Sequence, residues 1–154
     1  MNLLFVCTGN TCRSPLAEVI GRAEAEARGL SEISCTSAGM FAFPGNPASD
    51  PGIAVAAAHG LDLATHTSRE LSAELLDWAD LIIGMEASHA EAAARWDPAA
   101  SIHVMTDFLP RDDERVGAGV PDPYGGDIET YEETWALLEL AMRGLFDRIG
   151  ETSP

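Results

Sequence analysis

The sequence predicts an α/β fold, a parallel sheet with helices on both faces. Three observations carry this. Four short segments, residues 3–6, 33–37, 80–85 and 102–105, have the length of strands. Between them, apolar residues recur at i, i+3, i+4 and i+7, the period of a helix with one buried face. Leu81, Ile82 and Ile83 are contiguous, as in a strand covered on both sides. Strands alternating with helices give parallel pairing, and right-handed crossovers place helices above and below the sheet, making three layers. A chain of 154 residues has the length of a single domain, expected over 1–154, and can bury a sizeable core.

Taken in order, the run 3–6 stops at Cys7, and Gly9 and Asn10 follow, the residue types that best tolerate positive φ. Pro15 is placed to open a helix at its first position. Leu16, Val19, Ile20, Ala23 and Ala27 hold the helical period, with Gly29 as the cap. Residues 33–37 are the second strand. The stretch 39–48, with Gly39, Pro44, Gly45 and Pro47, is a loop carrying Phe41 and Phe43. Ser49 or Asp50 caps the next helix, with Pro51 in its first turn and His59-Gly60 at its end. A polar segment, 62–69, precedes a helix expected over 70–78. The third strand, 80–85, leads to a helix over 87–96, which Pro98 follows, and then to the fourth strand, 102–105. Residues 106–126 have no periodicity, and a loop of this length in a compact domain tends to be functional. Tyr131, Trp135, Leu138, Met142, Leu145 and Ile149 recur at spacings of four and three, predicting one strongly amphipathic final helix packed on the core.

The net charge is −16 at pH 7. Such a charge argues against nucleic acid and anionic membranes as partners. No apolar run approaches the roughly 20 residues of a membrane span, and residues 1–6 do not read as a signal peptide. Three cysteines, an odd number, fit a reducing cytoplasm rather than a disulfide scaffold. No His, Cys, Asp or Glu cluster has metal-ligand spacing, so neither metal nor other cofactor is expected. A monomer is the expected state.

The chemistry gathers in Cys7-Thr8-Gly9-Asn10-Thr11-Cys12-Arg13-Ser14. A strand feeds a tight loop, and the loop feeds a helix N-terminus. Successive N–H groups in such a loop converge on one point, and the helix end adds roughly half a positive charge. Thr8, Gly9, Asn10, Thr11, Cys12 and Ser14 thus form a cradle for a phosphate dianion. Cys7 sits at its base, where donors and dipole stabilise a thiolate. Arg13 adds a planar fork matched to two phosphate oxygens. The blander alternative is a small loop around a structural Cys. Ser14 would steady the thiolate by a hydroxyl hydrogen bond, or cap the helix. Cys12 would either trap an oxidised Cys7 as a disulfide or simply pack the loop. Cys35 belongs to the core. Phosphate ester cleavage also needs a proton donor. The long loop offers Asp107, Asp112, Asp113, Glu114, Asp122 and Asp127. Asp122 is preferred, because Pro121 and Pro123 hold its backbone on both sides and a catalytic acid must be held still.

This loop resembles the active-site signature of the low-molecular-weight protein tyrosine phosphatases. Ser37-Ala38-Gly39, His66 and Asp122-Pro123-Tyr124-Gly125 extend the resemblance over nearly the whole chain. It implies a four-stranded sheet in the order 2-1-3-4 with about five helices. It implies hydrolysis of a phosphorylated protein through a phosphocysteine on Cys7, with Asp122 as acid and then base. It also places Asn10, Ser37 and His66 in a hydrogen-bond network supporting the loop. Phe41, Phe43 and Tyr124 are candidates for the walls of the substrate cleft, although core packing is the ordinary role for Phe41 and Phe43. His59, His89 and His103 receive no role. Thr11 departs from the commonest phosphotyrosine pattern, which has a bulky aliphatic residue there, and resembles the bacterial protein-arginine phosphatase branch. Phosphotyrosine and phosphoarginine therefore both stand as substrates. Two further readings are a thioredoxin-coupled arsenate reductase and a non-catalytic phosphopeptide-binding module. The first needs a later cysteine pair, and the chain has no Cys after Cys35. The second leaves Cys7, Arg13 and Asp122 together unexplained.

Overall fold

The computed structural model describes residues 1–152. Its elements are β1 (Asn2–Cys7), α1 (Arg13–Ala27), β2 (Ser34–Gly39), α2 (Asp50–Ala58), α3 (Ala73–Trp78), β3 (Leu81–Gly84), α4 (Ala87–Trp96), β4 (Ile102–Val104), a 3₁₀ turn (Met105–Phe108) and α5 (Ile128–Thr152). The four strands form one parallel sheet in the order β2-β1-β3-β4, as the resemblance implied.

Strand β1 shows why the sheet is central. Leu3 and Phe5 face one apolar cluster, and Leu4 and Val6 face another, the period-two alternation of a strand. All four are fully buried. The first cluster joins the sheet to α1, α2 and α5 through Leu16, Ile20, Val55, Leu138, Met142 and Phe146. The second packs Ile82 and Ala93 with Leu75, Leu76 and Trp78 on the side of α3 and α4. On α5, the residues expected from periodicity, Tyr131, Trp135, Leu138, Met142, Leu145 and Ile149, are all buried.

Several boundaries differ from expectation. Helix α1 begins at Arg13, so Pro15 is its third residue rather than its first; N–H groups in the first turn lack intrahelical partners anyway, so Pro costs nothing there. Gly29, at φ +70°, lies just past the cap residue Arg28. Strand β2 runs on to Gly39, where Ala38 and Gly39 pair with Val6 and Cys7. Helix α3 starts three residues late. Ser72 caps it, accepting a hydrogen bond from Leu75 N–H at 3.2 Å, while Glu70 bridges to Gly39 in extended pairing. Among the described residues no helix is long and apolar enough to cross a membrane, and no group of three or more His, Cys, Asp and Glu is arranged to hold a metal ion.

Candidate active site

β1 and β3 end side by side, Val6 opposite Gly84. The site lies just beyond these carboxyl ends, where parallel sheets of this kind bind ligands. A pocket of about 210 Å³ is lined by Cys7, Thr8, Gly9, Thr11, Cys12, Arg13, Asp122 and Tyr124.

The loop from Cys7 to Arg13 is held in shape from within. Asn10 sits at φ 55°, the single non-glycine with positive φ among the described residues. Its side chain is fully buried and pays for that conformation with hydrogen bonds. Nδ2 donates to Ser14 Oγ and to Ser37 Oγ, both at 2.9 Å, and Oδ1 accepts from Arg69 N–H at 2.9 Å. His66 Nε2 donates to the Asn10 carbonyl at 2.8 Å. The network that the resemblance assigned to Asn10, Ser37 and His66 is thus present, and Arg69 joins it through its backbone. Gly39 allows the end of β2 to lie against the loop: a Cβ there would stand 2.6 Å from Thr8 O and 2.8 Å from Asn10 N.

Cys7 Sγ accepts a hydrogen bond from Asn10 N–H at 3.3 Å and lies 2.8 Å from Ser14 Oγ. Because Ser14 Oγ already accepts from Asn10, its own hydrogen is free to point at the sulfur. Ser14 is the second residue of α1, and Cys12 occupies the cap position; the capping role for Ser14 is therefore not the one observed. The N–H groups of Thr8, Gly9, Thr11 and Cys12 donate to no protein acceptor among the described residues. Free donors around a buried sulfur form an anion site.

Arg13 is 2% exposed. Its Nη1 donates to Glu86 Oε1 at 2.9 Å and to Val120 O at 2.8 Å. These bonds use both Nη1 protons, leaving Nε and Nη2 for a ligand. Asp122 Oδ2 is 3.9 Å from Nη2. The long loop that carries Asp122 is moored by Val120, whose N–H donates to Met85 O at 2.7 Å, and by Gly119 N–H, which donates to Thr106 Oγ1 at 2.9 Å. Asp122 Oδ1 in turn accepts from Tyr124 N–H at 3.1 Å. Asp122 and Tyr124 are both exposed at the pocket mouth.

Phe41 and Phe43 are 73% and 80% exposed, which overturns core packing for either. Between them Ala42, 8% exposed, is the buried residue, with its Cβ against Gly39. Neither ring lines the pocket, although Phe41 N–H donates to Thr8 O at 2.9 Å. Cys12 is buried, and its Sγ accepts from Tyr131 OH at 3.2 Å. Cys35 is buried, and burial pushes its thiol up to about 12.

Sequence reasoning missed Glu86 and His89. His89 is 1% exposed. Its Nδ1 accepts from Glu86 N–H at 3.2 Å, which fixes the hydrogen on Nε2, and Nε2 stands 3.0 Å from Thr8 Oγ1. Burial, and then Arg13, lower its pKa and hold the ring neutral. The available signal was position: Glu86 caps, and His89 lies in the first turn of, the helix that follows a strand of a parallel sheet, where sites form. His59, by contrast, stacks on Trp135, and His103 lies against Phe108.

A cysteine beneath unpaired loop amides, flanked by a buried arginine and a carboxylate, is the equipment of a phosphatase that works through cysteine. The comparisons agree. A family described as low molecular weight phosphotyrosine protein phosphatase matches residues 2–153. A low molecular weight protein-tyrosine-phosphatase of Streptomyces coelicolor is 36% identical over 152 residues, 96% of this chain and 92% of its own. A protein-arginine-phosphatase of Bacillus subtilis is 36% identical over 145 residues, 94% of each chain. A solved structure of a mutant YwlE arginine phosphatase with a phosphorylated active-site serine aligns with a TM-score of 0.88 at 31% identity, over 99% of this chain and 97% of its own. The chain belongs to the low molecular weight phosphotyrosine protein phosphatase family.

Proposed function

We propose that Cys7, Arg13 and Asp122 together hydrolyse phosphorylated protein side chains, with phosphotyrosine and phosphoarginine as the candidate substrates. The observation that carries this is the environment of Cys7 Sγ: one hydrogen bond from Asn10 N–H, a serine hydroxyl at 2.8 Å, and a ring of unpaired loop amides above it. A thiolate there attacks phosphorus in line while the amides and the free edge of Arg13 hold the equatorial oxygens. Asp122, at the mouth, protonates the leaving atom. It then deprotonates the water that cleaves the phosphocysteine and frees the thiolate. The solved relative with a phosphorylated active-site serine supports a covalent intermediate.

The choice between substrates rests on Thr11, which lines the pocket and matches the resemblance to the arginine-phosphatase branch. A hydroxyl beside phosphorus suits the polar nitrogen-linked phosphate. Tyr124, at the mouth, offers an aromatic face to either a tyrosine ring or a guanidinium, and Phe41 and Phe43 stand outside as walls for the substrate chain. With no cysteine beyond Cys35, a relay of the arsenate-reductase kind has no second thiol pair. The working location proposed is the cytoplasm and the working unit a monomer.

The test is side-by-side kinetics on phosphotyrosine, phosphoarginine and phosphoserine peptides, with Cys7→Ser as control. Turnover of the first two, abolished by Cys7→Ser, is expected, and Thr11→Ile should raise the ratio of phosphotyrosine to phosphoarginine turnover. Wild-type turnover that survives Cys7→Ser refutes the assignment.

A further inference from the structure

We propose that His89 is a positioning residue that makes the Thr8 side chain a dedicated hydrogen-bond donor to the bound phosphoryl group. The proposal rests on the phosphatase reading of the site. Thr8 is the first loop residue after Cys7 and lines the pocket. Its Oγ1 lies 3.0 Å from His89 Nε2. The Glu86 N–H donates to His89 Nδ1, so the imidazole hydrogen is on Nε2 and points at Thr8 Oγ1. A threonine hydroxyl that accepts from a histidine N–H keeps its own hydrogen to give away. The backbone of Thr8 is meanwhile pinned on its other side, where Thr8 O accepts from Phe41 N–H at 2.9 Å. A phosphoryl oxygen bound in the pocket that Thr8 lines is the acceptor assigned to that hydrogen. The same helix start holds both rims of the loop: Glu86 Oε1 takes Arg13 Nη1, and His89 takes Thr8.

The orientation of the ring depends on its being neutral, because only then can Nδ1 accept from Glu86 N–H. The charged groups facing His89 are Arg13 from α1, Glu86 before α4 and Asp122 from the long loop. Glu86 Oε1 is 3.8 Å from Nε2, beyond hydrogen bonding. Burial and Arg13 disfavour the imidazolium, while the two carboxylates favour it; the balance lowers the pKa, and the ring is neutral at pH 7. Protonation would place a hydrogen on Nδ1 facing Glu86 N–H, donor against donor. The bond from Glu86 N–H that orients the ring is then lost as pH falls through the lowered pKa, below the ordinary value of about 6.5, while Nε2–H remains a donor.

The experiment is a double-mutant cycle on His89→Phe and Thr8→Val, read as kcat/KM on an aryl phosphate and as inhibition by inorganic phosphate. Wild-type turnover that is lost in Cys7→Ser first establishes the phosphatase reading, so the cycle judges the tether alone. A hydrogen bond to a charged group predicts about a tenfold loss for each single variant. Because both remove one chain of bonds, the double variant should lose no more than either. Multiplying losses, or a Thr8→Val enzyme as active as wild type, overturns the proposal. A second arm adds His89→Gln at pH 7 on the same substrate. A glutamine amide N–H can still donate to Thr8 Oγ1, so His89→Gln should stay within about threefold of wild type while His89→Phe loses about tenfold; equal losses in the two overturn the donor role of His89. Should His89→Phe fail to fold, Thr8→Ser decides the first arm. It keeps the hydroxyl and should stay within about threefold of wild type while Thr8→Val loses about tenfold; equal losses in the two refute it.

Discussion

Replacing Asn10 by Ala removes the side chain on which the loop depends most. Three hydrogen bonds go, to Ser14 Oγ, Ser37 Oγ and from Arg69 N–H, all at a residue with no exposed surface. Each is worth about 1 kcal/mol net, and up to about 3 kcal/mol where a buried partner is left unsatisfied. Holding Ala rather than Asn at φ 55° adds about 1 kcal/mol. The expected destabilisation is about 4–6 kcal/mol, a large share of the roughly 5–15 kcal/mol available to a domain. Asn10→Gly loses the same bonds without the backbone cost and should recover about 1 kcal/mol of that. Urea unfolding followed by tryptophan fluorescence measures both values by linear extrapolation. Activity should fall further than stability requires, because Ser14 loses the bond that directs its hydrogen toward Cys7 Sγ. A destabilisation under about 1 kcal/mol for Asn10→Ala would refute the claim that this side chain supports the loop.

Gly144→Ala should destabilise by about 3 kcal/mol or more despite its better helix propensity, because its Cβ would fall 1.8 Å from Phe108 O; a thermal melt unchanged from wild type would contradict the packing of α5 on the 3₁₀ turn. Asp122→Ala should slow substrates with poor leaving groups far more than activated aryl phosphates, and equal loss on both in steady-state assays would remove Asp122 as the acid. Cys35, with its thiol held at about 12 by burial, should stay unalkylated by iodoacetamide in the native protein at pH 8, as read by peptide mass spectrometry; rapid labelling would contradict its place under Gly21 and Phe5.

The strand–loop–helix that forms the cradle was legible from residues 3 to 29 because its determinants are local. A Gly-Asn pair tolerates positive φ, a proline suits a first turn, and a strand must end before a loop begins. The extent of α5 was equally plain, since a helix with one buried face repeats its apolar residues along the chain. Boundaries set by partners elsewhere were not. Helix α3 starts late because Glu70 pairs with Gly39, a contact across some thirty residues. Phe41 and Phe43, on a Gly- and Pro-rich loop, left both cleft wall and core open, and only the fold shows that both rings are exposed while Ala42 between them is buried.

By itself, then, the sequence determined the fold class and placed Cys7 and Arg13 on one tight loop between a strand and a helix N-terminus, products of short-range patterns. Tertiary structure decided what surrounds them. Strand register sets the end of β3 beside that of β1, and only this brings Glu86 to Arg13 and His89 to Thr8, across 73 and 81 positions of chain. Val120, bonded to both Met85 and Arg13, likewise moors the loop that delivers Asp122. A hydrogen bond needs its partners within about 3 Å, and no local pattern in a chain encodes which distant residue will arrive there.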